Sequence, residues 1–114
     1  MTKIRIYHNP RCRKSREALA LIEGRGEIEI IDYLKEGFNI SELETDIKKA
    51  NISIEAFVRK GEAIYKSDYK GKVLDEKGWI KAFIKHPKLF ERPLVVVKNR
   101  SVLGRPPENV LKLF

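Results

Sequence analysis

Cys12 is the only cysteine in the chain, and it stands among Arg11, Arg13, Lys14 and Arg16. A thiol attacks as its anion, so its reactivity follows from whatever favours the charged form. Neighbouring cations do so, and so does a helix N-terminus, where unpaired backbone N–H groups carry partial positive charge. A lone cysteine is more often a buried structural residue. Burial conflicts with Arg-Cys-Arg-Lys-Ser, where no apolar residue adjoins the sulfur. The chemistry this predicts is nucleophilic attack by Cys12. His8 lies one turn earlier and could lower the thiol pKa, or could simply be a turn residue. Ser15 follows three residues after Cys12, so its hydroxyl could donate to the thiolate, or it could be an ordinary first-turn serine.

The elements around Cys12 place it at such a terminus. Lys3 to Tyr7 alternates, with Ile4 and Ile6 on one side, and predicts a strand that ends at Asn9-Pro10. Beyond the cysteine, Ala18, Leu19, Leu21 and Ile22 form an apolar stripe closed by Gly24 and Gly26, which predicts a helix over about 12–24. Glu27 to Asp32 alternates again as a second strand, completing a βαβ unit.

The middle reads as helical. Ser41 to Glu44 fits a capping box ahead of Leu43, Ile47 and Ala50. Ser53 can cap a short turn through Phe57, and Asp75 can cap a helix that His86-Pro87 stops. The polar stretch from Gly61 to Lys72 carries no clear pattern. Leu94 to Val97 is a continuous apolar run, as in a strand buried on both faces. Lys98-Asn99-Arg100 turns the chain, and Ser101 to Leu103 pairs back. Gly104-Arg105-Pro106-Pro107 then breaks it before a last helix. The fold class is α/β, with one mixed four-stranded sheet and a helical insertion. At 114 residues the chain reads as a single domain over 1–114, with the insert at about 40–88.

Composition sets outer limits. The 24 Lys+Arg against 16 Asp+Glu give a formal charge of +8, which attracts anions. The cations are scattered and not gathered on one arm, which argues against nucleic acid as the main partner. The longest aliphatic stretch is far too short for a bilayer, so no membrane partner is expected. The opening residues show no secretory pattern, and a lone cysteine suits a reducing compartment, so the reading is soluble and cytoplasmic.

His8-Asn9-Pro10-Arg11-Cys12 with Ser15-Arg16 resembles the active-site motif of the arsenate reductase (ArsC) family, which has a thioredoxin-like fold. Arg59, Arg92-Pro93 and Gly104-Arg105-Pro106-Pro107 resemble that family's three arginine motifs in the same order. The resemblance implies that Cys12 attacks arsenate and forms a covalent adduct, that His8 and Ser15 tune the thiolate, and that Arg59, Arg92 and Arg105 bind the oxyanion. Pro93 falls where thioredoxin-like folds place a cis-proline facing the nucleophile. No bound cofactor and no metal site is implied; glutathione and glutaredoxin supply the electrons from outside. Arginine suits the role because its planar fork grips tetrahedral oxyanions bidentately. Arg13 departs from the pattern, since related sequences place a small residue there. An alternative is a regulator similar to the Spx proteins, which share the fold and bind RNA polymerase without catalysis. Their redox switch uses two cysteines at the spacing held here by Cys12 and Ser15, and they lack the Gly-Arg-Pro turn.

Overall fold

A computed structural model describes residues 2–114 of the chain. Four strands form one sheet in the order β2-β1-β3-β4, where β1 is Lys3–Tyr7, β2 Glu27–Ile31, β3 Leu94–Val97 and β4 Arg100–Leu103. β1 and β2 run parallel, joined by helix α1 (Arg13–Ile22); β3 lies antiparallel to both β1 and β4. This is the mixed α/β sheet that the alternating and continuous apolar runs predict.

The side-chain period of two divides the core between the faces of the sheet. Ile4, Ile6, Val95 and Val97 point to one face and pack with Ala18 and Ile22 of α1 and with Val110 and Leu113. Tyr7, Leu94 and Val96 point to the other, under the helical layer that supplies Leu43, Phe57, Trp79, Phe83 and Phe90. β3 is therefore buried on both faces, which is why its sequence does not alternate.

The helical layer departs from the sequence expectation in detail. Helix α3 (Ile40–Lys49) begins two residues before the expected box, because the Asn39 side chain accepts from the Glu42 N–H at 3.0 Å. Asparagine is as good a cap as serine, and the earlier start adds half a turn. A short helix α2 (Tyr33–Glu36) follows β2 directly, and the patternless stretch holds a single π turn at Tyr65–Tyr69. Helix α4 (Glu76–Lys85) is capped by Asp75, which accepts from Gly78 N–H at 2.8 Å. The final expected helix is a 3-10 segment, Pro107–Leu113. Among the described residues no helix is long and apolar enough to cross a membrane.

One polar cluster fastens this layer to the sheet. Asp46 of α3 is fully buried. Its carboxylate binds the Arg5 guanidinium, accepts from Tyr7 OH at 2.7 Å and lies 3.5 Å from Lys49 Nζ. Its backbone carbonyl accepts from the Ser101 hydroxyl at 2.6 Å. Breaking a buried pair by removing one partner strands the other charge. Asp46→Ala should cost about 3 kcal/mol, the low end for such pairs because Arg5 keeps some solvent. Glu62→Ala, which removes the partly exposed partner of Arg59, should cost below about 1 kcal/mol. Urea titrations of the two variants test the contrast.

Candidate active site

Cys12 is the N-cap of α1, with extended backbone dihedrals of −90° and 120°, and the residue is half-buried. The turn before it closes through the Cys12 N–H to Asn9 carbonyl bond at 3.0 Å. Burial pushes the thiol pKa up. The Ser15 amide and the Arg92 guanidinium push it down, with the charge of Arg105 added, and the net position lies below the ordinary value. Arg105 Nη2 stands 3.7 Å from the sulfur. The helix terminus and two arginines together favour a thiolate.

The β3–β4 hairpin brings those two arginines into one place. Leu94 pairs with Leu103, and the next rung is the Gly104 N–H to Pro93 carbonyl bond at 2.8 Å. One position further, Arg92 and Arg105 stand across from each other, and Arg105 Nε donates to the Arg92 carbonyl at 2.9 Å. Both Arg92-Pro93 and Arg105-Pro106 are cis peptides; the first was expected and the second was not. The two chains approach so closely that a Cβ on Gly104 would lie 2.8 Å from Pro93 Cγ. Only glycine leaves that space.

Arg59 arrives by a different route. Its amide donates to the Leu89 carbonyl at 2.8 Å, and Val58 bridges Phe90, so the same segment that ends in Arg92-Pro93 carries it. No hydrogen bond joins Arg59 to the Cys12 sulfur among the described residues. Its Nη1 and the Nε of Arg92 are nevertheless buried and, among the described residues, have no hydrogen-bond partner. Two buried guanidinium donors without acceptors are costly unless an acceptor comes from outside.

His8 and Ser15 take positions different from the simplest expectation. Ser15 Oγ lies 2.6 Å from His8 Nδ1 and accepts from the Asn9 N–H at 3.1 Å. The hydroxyl accepts from Asn9, and the direction of its bond to His8 follows the imidazole tautomer. Ser15 acts on Cys12 through its amide. The pair clamps the reactive loop onto the first turn of α1. Burial lowers the His8 pKa; Asp32 opposes this and Arg16 adds to it.

Glu91 escaped the sequence reading. Its Oε1 lies 3.0 Å from Arg105 Nε and accepts from the Arg92 N–H at 3.2 Å. It offsets the repulsion between the two arginines while leaving Arg105 Nη2 directed at the sulfur. A glutamate beside a motif arginine was the available signal, and nothing in its spacing marks it as paired with Arg105.

The ArsC family model matches residues 7–113. The chain belongs to the ArsC family. The arsenate reductase of Haemophilus influenzae is 40% identical over 112 residues, covering 96% of this chain and 97% of the relative. The arsenate reductase of Neisseria meningitidis serogroup B is 38% identical over 113 residues, with 96% and 97% covered. An arsenate reductase structure from Vibrio cholerae matches with a TM-score of 0.91 at 38% identity, over 99% of this chain and 98% of that one. The α/β arrangement described above is therefore the thioredoxin-like ArsC fold.

The rate of Cys12 alkylation against pH should have its midpoint below the free-thiol value of about 8.5. Arg92→Ala should raise that midpoint, because the thiolate loses a close opposite charge and its hydrogen bond. A second titration concerns the clamp. Because burial lowers the His8 pKa in the fold, the unfolded chain takes up its proton first. Stability should therefore fall as pH drops through about 6.5 and level off once folded His8 protonates too. Thermal melts of His8→Gln should lack that slope.

Proposed function

We propose that this chain reduces arsenate to arsenite through a covalent adduct on Cys12, with glutathione and glutaredoxin as external electron donors in a cytoplasmic setting. The observation that carries the reading is a cysteine at a helix N-terminus facing Arg105 at 3.7 Å, beside buried guanidinium donors that lack acceptors. Close relatives named arsenate reductases support the choice of oxyanion.

In this mechanism Arg92 and Arg105, with Arg59, bind the tetrahedral anion and offset the repulsion between it and the Cys12 thiolate. The Cys12 sulfur displaces one arsenate oxygen, which leaves with protons as water. An external thiolate then forms an S–S bond to Cys12. The sulfur–arsenic bond breaks with its electron pair on arsenic, and As(V) departs as As(III). A second thiol splits the mixed disulfide and restores Cys12. The net change is one arsenate and two thiols to one arsenite, one disulfide and one water. No second cysteine exists in the chain, so both resolving thiols come from outside.

Arsenate-dependent NADPH oxidation, coupled through glutathione, glutaredoxin and glutathione reductase, should be present in the wild type and absent in Cys12→Ser. Arsenate should also protect Cys12 from alkylation. Arg105→Ala should weaken that protection roughly ten- to a hundredfold, the scale of one charged hydrogen bond. Arg105→Lys should restore it only in part, because lysine lacks the fork. Exposed Arg25 is the control: an equal loss in Arg25→Ala would reduce the pocket to general electrostatics.

A further inference from the structure

Arginines hold a tetrahedral anion by charge and by the fork, but they do not tell one such anion from another. Arsenate, phosphate and sulfate present much the same oxygens to a guanidinium. What separates them is a proton. Near neutral pH arsenate and phosphate keep at least one hydroxyl, whereas every oxygen of sulfate is bare. Arginine has donors and no acceptor, so it cannot register that hydroxyl. A pocket that discriminates needs an acceptor, which at the same time penalises the bare anion.

Glu91 is placed to be that acceptor. Its N–H donates to the Phe57 carbonyl at 2.7 Å, which fixes the residue within the segment ending at Pro93. Its Oε1 accepts from the Arg92 N–H at 3.2 Å and lies 3.0 Å from Arg105 Nε. Arg105 Nη2 in turn stands 3.7 Å from the Cys12 sulfur. A single guanidinium group therefore separates this carboxylate from the nucleophile. Holding Arg105 does not by itself call for a carboxylate, because the Arg92 carbonyl already accepts from the same Nε at 2.9 Å. Oε1 is engaged twice, while Oε2 makes no hydrogen bond among the described residues and the side chain is 21% exposed. Glu62, the carboxylate beside Arg59, pairs with neither Arg92 nor Arg105.

We propose that Glu91 determines which oxyanion the arginines accept. Its free carboxylate oxygen takes a hydrogen bond from the hydroxyl of a protonated oxyanion and repels an anion that has none. The pocket thereby takes arsenate or phosphate ahead of sulfate. The inference rests on the reading of Arg59, Arg92 and Arg105 as an oxyanion pocket.

Phosphate and sulfate are the probes, since at mildly alkaline pH both are dianions of one shape that differ in the hydroxyl. Each is titrated against alkylation of Cys12 by uncharged iodoacetamide at constant ionic strength, and the half-protecting concentrations are compared. The wild type should need about tenfold less phosphate than sulfate, the low end for one charge-assisted hydrogen bond. Glu91→Gln keeps a carbonyl for Arg105 and offers an amide N–H in place of Oε2. It should bring the ratio to about one or below, with sulfate improved and phosphate weakened. A carboxylate that only positions Arg105 would change both concentrations alike and leave the ratio untouched. Glu17→Gln removes the exposed carboxylate paired with Arg13 and should keep the wild-type ratio. A wild-type ratio near one, a ratio unmoved by Glu91→Gln, or an equal shift in Glu17→Gln overturns the inference and leaves the arginine pocket standing. Protection by neither ion overturns both.

Discussion

The contact between Pro93 and Gly104 is the constraint on which the site depends. It continues the β3–β4 ladder by one rung beyond Leu94 and Leu103, and so sets Arg92 and Arg105 opposite each other. The segment from Leu89 to Pro93 is the common support. It pairs with Arg59 through backbone at Leu89, with Phe57 through the Glu91 N–H at 2.7 Å, and with β4 through Pro93. Arginines 13 and 33 residues apart thus attach to five consecutive residues by main-chain bonds, which are less compliant than side-chain contacts.

Concentrating cations in this way is unfavourable without compensation, and the structure compensates sparingly. Glu91 is the single carboxylate engaged with the Arg92–Arg105 pair among the described residues. A second carboxylate there would neutralise the field that favours the Cys12 anion. The contrast with Asp46 is instructive. That carboxylate is saturated by Arg5, Tyr7 and Lys49 and serves to join helix and sheet.

Much of this was legible in the sequence because it is written in period and punctuation. The two-residue alternation of Ile4 and Ile6, the unbroken Leu94–Val97 run and the stripe on α1 each report burial directly, and all three elements form as read. The cap of α3 was misplaced because Asn39 and Ser41 are chemically equivalent signals two residues apart. Cys12 could be picked out by its neighbours in the chain. The arginines could be singled out only by resemblance to a family, since their gathering depends on a hairpin rung and an isolated bridge that no local pattern encodes. The partners of Glu91 and Asp46 and the pairing of Ser15 with His8 are likewise properties of tertiary contact. Each concerns a polar residue whose partner lies beyond the reach of any periodicity.

The sheet also has margins, and β2 forms one of them. It is the most solvated strand, with Ile30 48% exposed and Glu27 and Glu29 standing in its row. An open margin with unpaired N–H and carbonyl groups is a template for another chain. A second copy adding antiparallel along β2 would bring glutamates toward glutamates, while Lys3 already answers Glu29 within the same molecule at 3.8 Å. Like charges directly opposed on neighbouring strands disfavour pairing. The strand that completes the βαβ unit therefore also ends the sheet, and its exposed row carries the charge that disfavours a further strand there.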